Sequence, residues 1–368
     1  MIVSWPARIK DKGVIRTQFT HLIDVVPTIL EASNLPVPKT VDGVLFLSTF
    51  ASADAKPVRG HEYQSELPEG KRGLTWKTKY GAVGVDVVNK DLLADGMNEK
   101  GLCVNVLYHL GYADYPAFDP AKSVTTMDSL DVCQYLLTTC TTIEEVRAAL
   151  AKVNMIGVVE PAIGLAPPIH LIVTEPGGKA IVIEFTEGSV KIHDSPLGVI
   201  TNAPNYDWHM TNLRNHVNLS AIALPTKKIE DLNFAPLGGG SGMIGLPGDY
   251  TPPSRFVRAV AFSKTARPTA TGNETMYELF RILDSFNVPL GAAEGEESKT
   301  QLAGLRSSTC WTSGYDTKNL VMQYHTQHNR RVRQVDLKKI DFSNPRDLIR
   351  LPLDKEKQQD IEDMTPVK

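Results

Sequence analysis

Apolar residues recur along this chain with two different periods, and the change of period marks its elements. Helical spacing, with apolar side chains three or four residues apart, appears four times. Thr20–Ala32 carries Leu22, Val25, Val26, Ile29 and Leu30 at helical spacing, with Pro27 inside the run. Asp128–Thr139 places Leu130, Cys133, Leu136 and Leu137 on one face. Thr142-Ile-Glu-Glu145 is a capping box that opens a helix over Ile143–Val153. Glu274–Phe286 repeats Met276, Leu279, Phe280 and Leu283. Elsewhere the runs are short and apolar, as strands are: Tyr80–Val88 and Gly101–Tyr108 are punctuated by Gly and Asn. His170–Thr174 and Ala180–Phe185 flank Glu175-Pro-Gly-Gly, a turn, and Asn319–Thr326 and Val332–Leu337 flank Gln327-His-Asn-Arg-Arg. Strand hairpins interleaved with helix pairs predict antiparallel sheets covered by helices, an α+β fold.

The same pattern divides the chain. Residues 1–44 form a first piece, and Leu45–Pro57, rich in small residues and without a strong period, reads as a junction. Val58–Leu351 is the main domain, and Pro352–Lys368 is a charged tail expected to be loose. Across the first boundary, Val44–Ala55 reads VLFLSTFASADA, which resembles the back half of a signal peptide and its cleavage site. The first residues, MIVSWPARIK, do not look like a signal.

Composition narrows the function classes. Of 368 residues, 42% are hydrophobic and 22% charged, enough for a sizeable core. A formal net charge of −3 gives no basic face for nucleic acid. No apolar run approaches the roughly 20 residues of a membrane span. The four cysteines, Cys103, Cys133, Cys140 and Cys310, show no zinc-ligand spacing. Cys133 and Cys140, seven apart on a helix, are separated by roughly 10 Å of rise, too far for a disulfide. No metal site or cofactor is expected. Leu237-Gly-Gly-Gly-Ser-Gly242 lacks the Gly-Lys-Ser/Thr ending of a phosphate-binding loop and reads as a flexible loop at a pocket mouth.

Three stretches carry a family likeness. Asp95–Leu102 reads DGMNEKGL, Val199–Leu213 reads VITNAPNYDWHMTNL, and Leu246–Val260 reads LPGDYTPPSRFVRAV. In this order and spacing they resemble the choloylglycine hydrolase family, which includes bile salt hydrolases and penicillin V acylases. The resemblance implies a four-layer αββα sandwich of the N-terminal-nucleophile hydrolase type and hydrolysis of linear amide C–N bonds in conjugated bile acids or penicillin V. It also implies a small-molecule amide substrate, a homotetramer, and a periplasmic or secreted location. Asn202 matches the family asparagine whose side chain helps form the oxyanion hole, and Arg255 matches an arginine near the nucleophile. Tyr108 falls where bile salt hydrolases often carry Asn and penicillin V acylases carry Tyr. Asp207 and His209, in Tyr206-Asp-Trp-His209, read as packing and hydrogen-bonding residues.

The family's nucleophile is an N-terminal cysteine. Here residue 1 is Met and the first cysteine is Cys103. The chain enters the family pattern at Val58-Arg-Gly-His-Glu and runs on to Trp76-Lys-Thr-Lys-Tyr-Gly81. The segment before it, Ile2–Val44, closely resembles the C-terminal part of arylsulfatases, without their nucleophile motif or calcium-binding aspartates. His21 and Asp24, on one helical turn there, read as surface residues. The expectation is therefore an amide hydrolase domain with a foreign N-terminal extension and impaired activity. The rivals are a catalytically inactive binding or rearranged protein and a sulfatase-related protein.

Overall fold

The structure, a computed structural model, describes residues 52–55, 59–87, 92–161, 164–294, 306–343 and 349–366. The chain divides after residue 46, and Leu47–Lys368 holds every described residue. The sulfatase-like stretch 2–44, its expected helix Thr20–Ala32, and His21 and Asp24 lie outside the described residues.

An eight-stranded antiparallel sheet is the centre of the fold. Its strands in chain order are β1 (Ser52–Ala55), β2 (Ala82–Val87), β3 (Leu92–Asn98), β4 (Cys103–Tyr108), β5 (Ile169–Thr174), β6 (Ala180–Thr186) and β7 (Ser189–Asp194). After the smaller sheet's β8 (Trp311–Asp316), β9 (Val321–Thr326) and β10 (Arg333–Asp336) comes its last member, β11 (Ile349–Pro352). The spatial order is β7-β6-β5-β4-β3-β2-β1-β11. β1 comes from the segment read as a junction: Ala53 pairs with Val85 on one side and Leu351 on the other.

Helices α1 (Val132–Thr139) and α2 (Ile143–Leu150) cover one face of this sheet. Their buried Val132, Leu136, Leu137, Val146 and Leu150 pack on Val104, Leu171, Val173, Ile183 and Phe185. The opposite face is covered in two parts. At the β2–β4 end, Val83, Val85, Met97 and Cys103 pack on Met322 and Tyr324 of the three-stranded β8-β9-β10 sheet. Helix α5 (Gly272–Asp284) lies on the outside of that second sheet. Gly314 admits it, because a Cβ there would sit 2.8 Å from Met276 Cε. At the β5–β7 end, α3 (Tyr206–Asn212) and α4 (Pro252–Thr265) close the face through Tyr206 and Phe256 on Ile172 and Val182. Helix, sheet, sheet and helix make the four-layer αββα sandwich.

Local details depart from expectation in two places. At α2, Thr142 Oγ1 accepts from Glu145 N at 3.2 Å as a capping box requires, but the Glu145 carboxylate turns to the Thr141 N–H at 2.6 Å. The returning bond thus lands one residue earlier than the motif places it. The tail read as loose begins docked: Leu353 is buried in the core, and Asp354 pairs with Arg333 at 2.5 Å. No helix among the described residues is long and apolar enough to cross a membrane.

Candidate active site

The three motif stretches separate into scaffold and site. Asp95–Leu102 is scaffold. Asn98 is fully buried; its Oδ1 accepts from the Lys100 and Leu102 N–H groups, and its Nδ2 donates to the Leu137 and Cys140 carbonyls. All four of its hydrogen-bonding positions are used, so it stitches the β3–β4 turn to the end of α1. Asp95 accepts from Val85 N, Trp311 Nε1, Ser313 Oγ and Tyr315 Oη, joining the two sheets.

The other two stretches meet at the end of β4, where the structure brings the three expected site residues together. Asn202 Nδ2 donates to the Tyr108 carbonyl at 2.7 Å, and Arg255 Nη2 donates to Asn202 Oδ1 at 2.7 Å. Arg255 is itself fixed by its Nε, which donates to the Tyr250 carbonyl at 2.9 Å. Burial and the nearby Arg258 lower the Arg255 pKa, yet a guanidinium stays cationic. Asn202 keeps a second Nδ2–H that is not used by these two bonds. Tyr108 contributes through its main chain; its ring is 52% exposed.

Sequence reasoning missed what lies beneath. Glu184 of β6 stands directly opposite His170 of β5. His193 of β7 lies diagonally across from Glu184, and His109 follows the end of β4. His170 Nδ1, His109 Nε2 and His193 Nε2 approach the Glu184 carboxylate at 3.6, 3.7 and 3.3 Å. Burial raises the Glu184 carboxyl, but His170, the Tyr206 N–H and His109 outweigh it and hold the pKa below the usual carboxylate range. Burial, helped by His170, pushes His109 down to about 4. The available signal was a single Glu inside the apolar run AIVIEFT, since a strand buried on both faces leaves its charge nowhere to go but inward.

His109, His170 and Glu184 offer ligand atoms within 4.8 Å of one another. They do not fit a metal as arranged. The two imidazoles are stacked, with centroids 4.3 Å apart and planes within 9°. A metal binds each ring in its own plane at about 2.0–2.1 Å, and two parallel planes share no such point. His209 packs as expected, stacked on Phe256 at 4.6 Å, with Nε2 at 2.9 Å from the Asn202 carbonyl. Asp207 takes no part; its carboxylate accepts from the adjacent Trp208 N–H. Within the glycine run, Gly239–Met243 is a short 3-10 turn, and buried Ser241 accepts from Leu224 N.

Comparison with known proteins gives the family and the fold. Residues 60–351 match the family model of linear amide C–N hydrolases, choloylglycine hydrolase family. A bile salt hydrolase/transferase of Clostridium perfringens is 32% identical over 274 residues, covering 73% of this chain and 80% of that protein. A solved mutant of the conjugated bile acid hydrolase from Clostridium perfringens superposes with a TM-score of 0.72 at 27% identity, covering 86% of this chain and 92% of that one. The penicillin V acylase from Agrobacterium tumefaciens gives a TM-score of 0.62 at 26% identity, covering 80% of each chain.

Proposed function

The chain belongs to the choloylglycine hydrolase family of linear amide C–N hydrolases, and from that premise we propose that Asn202, Arg255 and Tyr108 form the oxyanion side of its amide-hydrolysing site. The substrate is a small linear amide, a conjugated bile acid or penicillin V. One observation carries the assignment: Asn202 has one N–H tied to the Tyr108 carbonyl and its oxygen tied to Arg255, so the remaining N–H has a fixed direction. When a nucleophile adds to the amide carbonyl, the new oxyanion takes that N–H with no reorganisation left to do. Arg255 orients the donor and adds positive charge close to it.

The nucleophile is a separate matter. Cys103, Cys133 and Cys140 are buried and Cys310 is partly so. Burial pushes all four thiols up, away from the thiolate that attacks. None of the four is poised as an attacking thiolate, so the hydrolysis we propose for this chain is impaired; a binding protein without turnover is the second reading. The test replaces residues 1–57 with a family-type segment that exposes an N-terminal Cys and also supplies a strand between β2 and β11. The chimera is expected to hydrolyse a conjugated bile salt or penicillin V, and Asn202→Ala in it to lower kcat by roughly 10²–10³, the cost of one oxyanion donor. A folded chimera with an exposed N-terminal Cys and no turnover of either amide overturns the assignment.

The assembly we propose is a homotetramer. The hairpin Lys227–Ile229/Leu232–Phe234 leaves Ile229, Leu232, Phe234 and Leu237 exposed, Leu237 completely. Large apolar side chains exposed on and beside one hairpin suit a subunit contact. Sedimentation equilibrium reads the assembly directly, and a monomer at micromolar concentration refutes it.

A further inference from the structure

We propose that His170 and Glu184 are positioning residues for the oxyanion loop: together they hold both ends of the segment Thr201–Tyr206 and thereby set where the Asn202 amide points. The inference rests on Asn202 being the oxyanion donor, but the geometry it concerns is present in the protein without catalysis.

Each anchor is a single buried bond. His170 Nε2 lies 2.8 Å from the Thr201 carbonyl, which makes Nε2 the protonated nitrogen of the ring and the donor. Glu184 Oε1 accepts from the Tyr206 N–H at 2.8 Å. The two side chains are direct cross-strand neighbours, with relative exposures of 0% and 1%. The loop's other ties run to the same neighbourhood: Thr201 Oγ1 donates to the Pro252 carbonyl at the start of α4, and His209 Nε2 meets the Asn202 carbonyl. Asn202 therefore sits between two backbone anchors that belong to the sheet, while its side chain is tied to the Tyr108 carbonyl and to Arg255 of α4. Sites held by sheet strands keep their geometry better than sites on free loops.

The chemistry of the anchors supports a functional reason for them. Among the described residues no lysine or arginine pairs with Glu184; its ionisable neighbours are the imidazoles of His109, His170 and His193, beside the Tyr206 N–H. His170, the Tyr206 N–H and His109 outweigh burial and keep the carboxyl ionised, so its Oε1 is available as the acceptor that holds the loop. Its Oε1 lies 3.6 Å from His170 Nδ1, so the two anchors are packed side by side.

The test is NMR on the intact chain, deuterated and labelled with 15N at Asn, His and Tyr, with Asn202→Ala used to assign the Asn202 side-chain amide. His170→Leu removes the donor to Thr201 at nearly constant volume and should displace or broaden the Asn202 amide pair. Glu184→Leu removes the acceptor of the Tyr206 N–H and should speed its hydrogen exchange by roughly tenfold, the equivalent of one lost hydrogen bond. His170→Gln places an amide N–H near the position of Nε2 and should restore the wild-type pair. His193→Leu removes an imidazole that touches Glu184 and the Tyr206 ring but holds no backbone group of the loop, and should leave the Asn202 pair in place. The proposal fails if His170→Leu leaves the Asn202 pair unmoved, or if His193→Leu moves it equally, which would mark a general loss of packing. If His170→Leu does not fold, the unmodified protein still decides: a slowly exchanging His170 Nε2–H with a cross-relaxation peak to Thr201 or Asn202 is required, and its absence refutes the anchor. These outcomes do not depend on turnover, so they stay separate from the Asn202→Ala test in the chimera.

Discussion

Asp95 on β3 and Glu184 on β6 are both buried carboxylates of the same sheet, and among the described residues neither is paired with a lysine or arginine. Their surroundings differ in kind. Asp95 has four neutral donors, two on each oxygen, three from β8 of the second sheet and one from the neighbouring strand β2. Glu184 has one backbone donor and three imidazoles at 3.3–3.7 Å. Burial raises the Asp95 pKa although its donors pull the other way, whereas the partners of Glu184 prevail over burial and lower it. A carboxylate whose lone pairs are filled by rigid neutral groups is a staple between layers. One ringed by titratable groups, with a loop N–H on the oxygen that also faces His170 and His109, responds to its surroundings and can direct a segment.

The largest effect expected from this contrast is at the staple. Asp95→Ala strands the Val85 N–H, the Trp311 Nε1–H and two hydroxyls inside the core. It should cost about 3–5 kcal/mol in chemical denaturation, the range for breaking a buried network. A loss under about 1 kcal/mol would end the description of Asp95 as a staple.

Next comes the pH response of the imidazole cluster. The folded His109 pKa of about 4 lies below the ordinary value of 6.5, so the unfolded chain binds the extra proton between those values. Stability is then lost as pH falls through that window and is fully present above it. Glu184, with its lowered pKa, contributes stability present above the ordinary Glu range and lost as pH falls below it. Thermal melts should drop by several degrees between pH 6.5 and 4, and His109→Phe should flatten the upper part of the slope. An unchanged slope in His109→Phe would assign the titration elsewhere.

The smallest effect should be Glu184→Leu at neutral pH. It leaves only the Tyr206 N–H without its acceptor, a loss of about 1–2 kcal/mol, partly offset because a buried charge is removed. A cost equal to that of Asp95→Ala would erase the distinction between the two regions.

How much of this was readable beforehand differs by element. The helices expected over 128–139, 143–153 and 274–286 are found as α1, α2 and α5, the first after a short 3-10 turn at Ser129–Asp131. The expected strands at 170–174, 180–185 and 332–337 are found as β5, β6 and β10 within a residue or two. Amphipathic periodicity reports which local face is buried, and these elements bury one well-defined face or lie wholly inside. The segment 45–57 has no period, and its strand Ser52–Ala55 exists only because β2 and β11 supply partners on both sides. The tail reads as loose because its charges are visible and its one buried apolar residue, Leu353, is not distinguishable from an exposed one.

By itself the sequence determined the alternation of hairpins and amphipathic helices, the family motifs, and Asn202, Tyr108 and Arg255 as the residues to look for. Tertiary structure alone decided that Asn98 and Asp95 of one motif are scaffold while Asn202 and Arg255 of the others meet. It also decided that Tyr108 reaches Asn202 through its carbonyl, and that His109, His170, Glu184 and His193 converge under the loop. The physical reason is distance along the chain. Asn202 finds its partners 94 residues before it and 53 after it, and the imidazole cluster is assembled by the order β7-β6-β5-β4. Periodicity registers that a position is buried; which polar groups it is buried against is set by strand order and by the helices that close the sheet.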